Sequence, residues 1–358
     1  MADKAKVVLE INDLDITFKM QDKKIHAIRG VDLQLKQNEI MAIVGESGCG
    51  KSISAKTVMG ILPRNAVINK GSVILHDDNG DINLLDKDMK WRQANINGTK
   101  IAMVFQDPMT SLNPVMKIGD HFASVIRSHE NISKKEVWSR GESLLREVGI
   151  TDPARTLSQY PHQLSGGMKQ RIVIALALSC NPEILICDEP TTALDVTIQD
   201  RILKLIQTIQ RARGLSIIFI SHNLGVVSRI ADYIAVMYAG KVVESGSVFD
   251  VLYDPKHPYT WGLLCSVPDS DEKGENLYTI PGAPPDLSIE PTGDPFAPRN
   301  QYALEVDFKA EPPMFKFSDT HYAATWLADE RAPKVEMPDV LKARIEKMKQ
   351  EVAEYARK

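Results

Sequence analysis

Near its N-terminus the chain reads Ile40-Met41-Ala42-Ile43-Val44-Gly45-Glu46-Ser47-Gly48-Cys49-Gly50-Lys51-Ser52. The first five residues are all apolar, which is typical of a strand buried on both faces. The next eight match the pattern GxxxxGK[ST], in which glycines let backbone N–H groups converge on phosphate oxygens. A helix is predicted from Lys51 to about Met59, and its N-terminal dipole also attracts an anion. The stretch therefore predicts a strand, a phosphate-binding loop and a helix, which together begin an α/β fold.

Each part of this loop has a predicted chemical role. Lys51 would reach the β- and γ-phosphates of ATP, and the Ser52 hydroxyl would ligate Mg²⁺. A glycine-rich turn that matches by chance is the alternative, and the strand–loop–helix context argues against it. Cys49 is expected to serve as a small residue in this loop. Because a helix N-terminus favours a thiolate, a further hypothesis is that alkylation of Cys49 blocks ATP binding. The residues predicted to bind the phosphates through this loop are Gly45, Glu46, Ser47, Gly48, Cys49, Gly50, Lys51 and Ser52.

Two adjacent carboxylates, Asp188 and Glu189, end a second apolar strand at 184–187. Open α/β sheets bind ligands at the carboxyl ends of their strands. Asp188 is placed to hold Mg²⁺ through water, and Glu189 to polarise the water that attacks the γ-phosphate. Asp-Glu pairs are common and usually solvated, so this prediction depends on the phosphate loop.

The remaining periodicity supports an α/β fold with a mostly helical insert. Short apolar or alternating runs at 7–11, 14–18, 101–105 and 217–220 predict strands, whereas 119–179 has helical periodicity. We predict an ATPase domain over residues 1–252, with an N-terminal β subdomain and a helical subdomain from about 107 to 180.

Prolines become frequent after residue 255, which predicts a small irregular C-terminal extension over 253–358. A Lys- and Glu-rich segment from Asp339 onward predicts a terminal amphipathic helix with one narrow apolar seam. The seam consists of Leu341, Ile345, Met348, Val352 and Tyr355.

Composition excludes several classes of function. The formal net charge of −4 gives no electrostatic reason to bind nucleic acid. The four cysteines are scattered and form no CxxC pair, so we expect neither a disulfide framework nor a zinc site, and a reducing compartment fits. No apolar signal segment begins the chain, and the longest apolar stretch is about half of the ~20 residues that a membrane-spanning helix needs. Any membrane role is therefore expected to come through a partner.

A third motif, Leu164-Ser165-Gly166-Gly167-Met168-Lys169-Gln170, resembles the LSGGQ-type signature of ABC ATPases and lies upstream of the acid pair as in that family. Met168 stands where the family usually has glutamine. A serine hydroxyl and glycine N–H groups that open a helix make a second anion cradle, from Ser165, Gly166 and Gly167. Taken alone, the motif could equally cap a helix. In the family, the signature of one subunit closes over the ATP held by another, so the resemblance implies a head-to-tail nucleotide sandwich.

The resemblance assigns further residues. Gln106 matches the loop glutamine that senses Mg²⁺ and the membrane partner, and Ala193-Leu194-Asp195 matches the loop through which the two subunits communicate. His222 matches the switch histidine that contacts the γ-phosphate, although a lone histidine is more often structural. Phe18 is the aromatic residue best placed to stack on adenine, with a core strand residue as the alternative.

Three shorter segments resemble the oligopeptide/dipeptide permease branch of this family. Residues 105–114 resemble its extended glutamine loop, 254–261 resemble the marker that follows its cassette, and 280–285 resemble the start of its C-terminal domain. The resemblance implies an ATP hydrolase that powers peptide import from the cytoplasmic face of the bacterial cell membrane, as a peripheral protein. The implied partners are a second, related but non-identical ATPase subunit, two transmembrane permease subunits and an extracellular peptide-binding protein, with no nucleic acid. Importers of nickel or other solutes share these segments, so nickel or another solute is an alternative cargo to peptide. DNA-repair and ribosome-acting relatives are disfavoured because the chain has one cassette, no coiled-coil insert and no metal-ligand spacing.

One departure from the branch concerns a cofactor. Many members carry four cysteines in the C-terminal region that can hold an iron–sulfur cluster. Here the corresponding positions hold Asp294, Asn300, Asp307 and Thr325. Because thiolates are the usual cluster ligands, we predict that this extension folds without a cluster.

Overall fold

The computed structural model describes residues 6–192, 194–267 and 279–355. The strands in these ranges are β1 (Val7–Lys19), β2 (Lys24–Lys36), β3 (Ile40–Val44), β4 (Ala66–Asp77), β5 (Gly80–Asn83), β6 (Ile101–Val104), β7 (Ile184–Asp188), β8 (Ser216–Ser221), β9 (Tyr233–Tyr238), β10 (Lys241–Ser247), β11 (Met314–Lys316) and β12 (Tyr322–Ala324). The helices are α1 (Lys51–Met59), α2 (Met89–Asn95), α3 (Pro108–Ser111), α4 (Ile118–Arg127), α5 (Lys134–Glu147), α6 (Pro153–Ser158), α7 (Gly166–Ala177), α8 (Val196–Arg213), α9 (Leu224–Val227), α10 (Val248–Tyr253), α11 (Pro258–Cys265) and α12 (Asp339–Tyr355).

An eight-stranded mixed sheet forms the centre of the molecule, with the strand order β11-β12-β10-β9-β3-β8-β7-β6. The pairs β9–β3, β3–β8, β8–β7 and β7–β6 are parallel. Every residue of β3, β7 and β8 is buried, which explains why these strands have continuous apolar runs. The predicted α/β class is confirmed, and so are the predicted strand at 40–44 and the predicted helix at 51–59.

A second, antiparallel sheet with the order β2-β1-β4-β5 forms the N-terminal β subdomain. The two short strands predicted at 7–11 and 14–18 are one long strand, β1, with a register shift between Ile11 and Leu14. Asp13 lies at that irregularity with a φ of 44°, so the strand continues through a local bulge.

Helices α3 to α7 lie between β6 and β7 in sequence and make up the predicted helical insert. Phe122 of α4, Leu145 of α5 and Ile172 of α7 are fully buried in the core that these helices share with one face of the central sheet. This packing fixes the N-terminus of α7, where the predicted signature motif lies.

The C-terminal segment continues the central sheet, which the sequence did not predict. Strand β12 pairs with β10, and β11 pairs with β12. Leu341 and Ile345 of α12 are buried in the same core as the ATPase helices, and Met348 packs against it. These positions confirm that part of the predicted apolar seam, whereas the side chains of Val352 and Tyr355 lie outside the described residues. The division of the chain at 252/253 stays a proposal.

The four residues aligned with the cysteines of many branch members, Asp294, Asn300, Asp307 and Thr325, stabilise local turns. The side-chain oxygens of Asp294, Asn300 and Thr325 accept hydrogen bonds from the backbone N–H groups two residues further along. Asp307 accepts one from the N–H of Leu304 over 2.6 Å. Each residue therefore stabilises the irregular backbone of the extension through an Asx- or Ser/Thr-type contact.

In the part of the chain that the structure describes, no helix has both the length and the apolar character needed to cross a bilayer.

Candidate functional site

The phosphate loop connects β3 to α1 at the carboxyl edge of the central sheet. Gly45, Gly48 and Gly50 have φ values of 151°, 81° and 108°, which L-residues with side chains rarely adopt. A Cβ added at Gly48 would meet no atom within 4 Å, so this position faces open space. No side chain caps the first turn of α1, and its N–H groups are therefore free of side-chain competitors for an anion. These features fit a site for the phosphates of ATP.

Lys51 is the cation of this loop. Its ammonium donates hydrogen bonds to the carbonyl oxygens of Gly45 over 2.7 Å and Glu46 over 2.9 Å. The side chain is buried, and these contacts keep the charge within the loop. An ammonium held over the loop is placed to interact with phosphate oxygens bound there.

Ser52 and Asp188 join the start of α1 to the end of β7. The Ser52 hydroxyl donates to Asp188 Oδ1 over 2.8 Å, and Asp188 is buried. Burial raises the pKa of this carboxyl above its usual value, and the hydrogen bond from Ser52 partly opposes that shift. Two of the three residues predicted to hold Mg²⁺ are thus in contact.

Glu189 follows directly and joins the remaining predicted catalytic residues. Gln106 Nε2 donates to Glu189 Oε2 over 3.1 Å, and His222 Nδ1 lies 3.3 Å from Oε1. Thr192, which sequence reasoning missed, donates its hydroxyl to Oε2 over 3.0 Å. Glu189 has a φ of 46°, a left-handed conformation that is uncommon for a residue with a side chain and often marks a functional position. The carboxylate is therefore held in one orientation by side chains from three loops.

The signature residues and Asp195 lie at neighbouring helix N-termini. Ser165 caps α7 by accepting a hydrogen bond from the N–H of Met168, and Asp195 caps α8 by accepting one from Ile198. A Cβ on Gly167 would come within 3.0 Å of Ile198 Cγ2, so glycine permits the two helix starts to approach closely. The side chain of Ser165 thus has the capping role that was the alternative for the signature motif, and Asp195 caps its helix in the same way. The cap on α7 leaves the N-terminal N–H groups of Gly166 and Gly167 available to an anion. Ala193 lies outside the described residues.

Phe18 lies near the end of β1, half buried against the core of the β subdomain. This placement fits the core alternative and leaves part of the ring exposed. Its predicted contact with adenine stays a prediction.

Cys49 is buried, as expected for a small residue in the loop, and the structure disfavours the thiolate on which the alkylation hypothesis depends. The thiol is 5% exposed, and burial raises its pKa above the ordinary value, although Lys51 opposes the shift. Burial disfavours the charged thiolate, and this effect outweighs the opposing contacts with Lys51. Cys49 acts as a small buried residue within the loop.

Two contacts from the C-terminal region reach the phosphate loop, and sequence reasoning gave neither residue a role. The Tyr259 hydroxyl, from α11, accepts a hydrogen bond of 2.8 Å from the backbone N–H of Glu46. Arg299, from the extension, pairs with the Glu46 carboxylate over 2.6 Å and 3.0 Å. Tyr259 lies in the segment 254–261 that resembles the permease branch, and Arg299 lies between Asp294 and Asn300, which were aligned with cysteine positions of that branch; those resemblances were the available signal.

The oxygen atoms at this site fit Mg²⁺. The hydroxyl of Ser52, the carboxylate of Asp188 and the amide oxygen of Gln106 are hard ligands, which this ion prefers. Among the described residues, no three or more His, Cys, Asp and Glu side chains are grouped to hold a metal ion. Such a group is not needed for Mg²⁺, which takes one or two protein carboxylates together with substrate phosphates and water.

Comparisons with protein families identify two regions of the chain. A family described as "ABC transporter" matches residues 28–192, which include the phosphate loop, the signature and the acid pair. A family described as "Oligopeptide/dipeptide transporter, C-terminal region" matches residues 243–306, which include Tyr259 and Arg299.

Curated relatives match the chain over almost its full length. The oligopeptide transport ATP-binding protein OppD of Bacillus subtilis is 51% identical over 342 residues, covering 95% of this chain and 94% of the relative. The dipeptide transport ATP-binding protein DppD of Lactococcus lactis is 49% identical over 339 residues, covering 94% and 95%.

Solved structures with the same cassette fold match a smaller part. The dimeric ATP-binding cassette MJ0796, in a post-hydrolysis state bound to ADP and phosphate, is 27% identical with a TM-score of 0.57, covering 67% of this chain and 98% of that one. CbiO1 of Clostridium perfringens, described as part of the ABC transporter complex cbiONQ, is 28% identical with a TM-score of 0.56, covering 70% and 92%.

Proposed function

This chain belongs to the family of ABC-transporter ATP-binding proteins, and on that basis we propose that it hydrolyses ATP to power the import of oligopeptides or dipeptides across a bacterial cytoplasmic membrane. The single observation that carries the proposal is that the carboxylate of Glu189 is contacted by three side chains, those of Gln106, Thr192 and His222. Glu189 is also the residue that follows Asp188, which is hydrogen-bonded to Ser52. The names of the relatives favour peptide over the nickel alternative as the cargo.

The proposed reaction is attack of water on the γ-phosphorus of ATP. Glu189 orients the water and accepts its proton, while the bond from the γ-phosphorus to the bridging oxygen breaks and ADP leaves. Gln106 and Thr192 fix the carboxylate of Glu189, so that its oxygen faces the reacting water in one geometry. Lys51 and the N–H groups from Gly45 to Ser52 stabilise the charge on the phosphates.

His222 lies beside Glu189 and is half exposed. We propose that it contacts the γ-phosphate and thereby signals its presence to the end of β8. Ser52, Asp188 and Gln106 would hold Mg²⁺, which when bound neutralises phosphate charge.

The predicted signature provides the second half of each site. Ser165, Gly166 and Gly167 would close over ATP held by another ATPase subunit, with Asp195 at the contact between the two. Because the signature opens α7, the helix dipole favours the phosphate end of that nucleotide. Phe18 is proposed to stack on adenine from the β subdomain.

The proposed assembly contains a second ATPase subunit, related but not identical, two transmembrane permease subunits and an extracellular peptide-binding protein. The chain would lie peripherally on the cytoplasmic face of the membrane. ATP binding would close the two subunits and hydrolysis would reopen them, with the motion passed to the permease near Gln106.

The test is Glu189→Gln in the assembled complex, measured by ATP hydrolysis, ATP binding and uptake of a labelled oligopeptide. Removal of a general base costs on the order of 10²- to 10⁴-fold in rate, so hydrolysis by this subunit and uptake should be lost while ATP binding remains. Glu183→Gln is the matched control, because that exposed glutamate lies just before the same strand and pairs with Lys100. Undiminished hydrolysis by a complex in which only this subunit can turn over ATP would refute the catalytic assignment, and undiminished peptide uptake without hydrolysis would refute the transport assignment.

A further inference from the structure

Arg299 connects the C-terminal extension to the phosphate loop. Its two terminal nitrogens donate to the two carboxylate oxygens of Glu46, over 2.6 Å and 3.0 Å. The side chain of Arg299 is 4% exposed and that of Glu46 is 27% exposed, so water screens this ion pair only weakly. A paired fork of this kind fixes orientation as well as distance.

The rest of the guanidinium is held in place by neutral groups. Arg299 Nε donates to the carbonyl oxygen of Pro281 over 2.8 Å, and Nη1 donates to the Tyr238 hydroxyl over 3.2 Å. The guanidinium also lies 5.7 Å from the centre of the Tyr238 ring, a cation–π distance. Glu46 is therefore the one carboxylate among the described partners of Arg299.

The backbone of Glu46 is fixed from the same side. Tyr259 accepts the hydrogen bond from its N–H, and the Tyr259 ring packs against Tyr238 and Phe296 with centroids 4.6 Å and 5.4 Å away. Both the main chain and the side chain of this loop residue are thus held by groups that lie after the ATPase strands in sequence.

The extension is itself anchored to the ATPase domain by charge. Glu311 pairs with Arg29 of β2 and with Lys241 at the start of β10. His26 Nδ1, on β2, also lies within hydrogen-bond distance of Glu290 Oε2, at 3.0 Å. These contacts place the segment that carries Arg299 in a defined position against the nucleotide site.

The negative charge of Glu46 would oppose ATP binding if it were not paired with Arg299. A carboxylate inside a loop that binds a triphosphate repels the ligand, and the repulsion is large in a partly buried site because the effective dielectric constant is low. An arginine on both carboxylate oxygens cancels that repulsion and prevents the side chain from accepting N–H groups that the phosphates need.

We propose that Arg299 is a positioning residue for ATP, through which the C-terminal extension neutralises Glu46 and fixes the phosphate loop in its binding conformation. The inference rests on the proposed ATP binding by this loop. It predicts that docking of the extension sets the affinity of the subunit for nucleotide.

The test compares ATP binding and steady-state ATP hydrolysis of the full chain, in its complex, for Arg299→Met, Arg299→Lys and the double variant Glu46→Gln/Arg299→Met. Arg299→Met should raise the KM and the Kd for ATP by about tenfold and change kcat much less, because it acts on the loop and not on the water-activating group. Arg299→Lys should fall between wild type and Arg299→Met, since an ammonium keeps the charge but lacks the fork.

The double variant separates charge neutralisation from a general loss of packing. Removing the carboxylate as well should restore most of the affinity that Arg299→Met loses, and raising the salt concentration should reduce the defect of Arg299→Met. Arg331→Met is the matched control, because that arginine of the extension is 86% exposed and pairs with Asp329.

Thermal unfolding of each variant shows whether it is folded. If Arg299→Met does not fold, the KM of Arg299→Lys is used for the test instead. An unchanged KM in folded Arg299→Met or Arg299→Lys would overturn the proposal, and so would a defect that Glu46→Gln does not relieve. Failure of the wild-type chain to bind ATP would instead refute the proposed function, so the two failures are distinguishable.

Discussion

The Ser52 hydroxyl donates a 2.8 Å hydrogen bond to the Asp188 carboxylate, although 136 residues separate the two in sequence. They meet because β3 and β7 both pair in parallel with β8, so their carboxyl ends lie on the same edge of the sheet. Ser52 lies in the first turn of the helix that follows β3, and Asp188 is the last residue of β7. A single edge of parallel strands thus brings together two of the three residues proposed to hold Mg²⁺.

Replacing Ser52 with alanine should weaken the use of Mg²⁺. The variant loses one proposed oxygen ligand and the hydrogen bond that orients Asp188. Loss of such a contact typically lowers metal affinity by about 10- to 100-fold. The Mg²⁺ concentration that gives half-maximal hydrolysis should therefore rise by at least roughly tenfold. The measurement is ATP hydrolysis at saturating ATP across a Mg²⁺ titration.

Ser52→Thr is the control for this prediction, because threonine keeps the hydroxyl and also satisfies the loop pattern. It should follow the wild-type titration closely. If Ser52→Ala also followed it, the hydroxyl would have no part in Mg²⁺ binding.

The sequence predicted which residues meet at the proposed site because local rules define the point at which each of them lies. Strands β3, β7 and β8 have apolar runs, and residues with proposed chemical roles directly follow the three strands: Gly45, Glu189 and His222. A parallel sheet then gathers those residues at one edge, without any need to know the loops.

Contacts that depend on tertiary docking were not predictable in this way. Arg299 and Glu46 are 253 residues apart, and no period or cap in the sequence relates them. The pairing of β12 with β10 likewise involves two residue pairs on a three-residue strand, too short to give a period-two signal. The hypothesis of a favoured Cys49 thiolate failed for a related reason, since the sequence shows that the thiol is near a helix N-terminus but not that it is buried.

Cys49 should react slowly with alkylating reagents in the folded protein. Its thiol is buried and its pKa is raised by burial, and each unit of increase lowers the thiolate fraction about tenfold. Cys180 is less buried and should be modified first by a small maleimide at pH 7.5. Mass spectrometry of peptides from a time course gives the order of modification.

Two additional samples make this prediction sharper. Cys180→Ser should show little modification until the protein is unfolded, and denatured wild-type protein should react at Cys49 and Cys180 alike. Modification of Cys49 before Cys180 in the native protein would restore the reactive-thiolate hypothesis.

Because of Asp294, the free energy of unfolding should decrease as pH rises from the pKa of this carboxyl in the unfolded chain to its pKa in the folded protein. Burial raises its pKa from 3.8 to about 6, with the carboxylates of Asp307 and Glu311 acting in the same direction. The folded protein therefore binds more protons than the unfolded chain between these values, and the free energy of unfolding decreases as pH rises across them. Above pH 6 the folded state holds the buried charge and its full cost.

Asp294→Asn removes this cost and keeps an oxygen that can accept the hydrogen bond from the N–H of Phe296. Its stability relative to wild type should therefore increase by on the order of 1 kcal/mol between pH 5 and pH 7.5, because part of the cost is already present at pH 5. Urea unfolding at the two pH values measures the difference. Glu305→Gln, at a side chain that is 93% exposed, should show no such change. A stability difference for Asp294→Asn that stays constant with pH would mean that Asp294 is ionised throughout this range, with Arg29 as the nearby cation that offsets its burial.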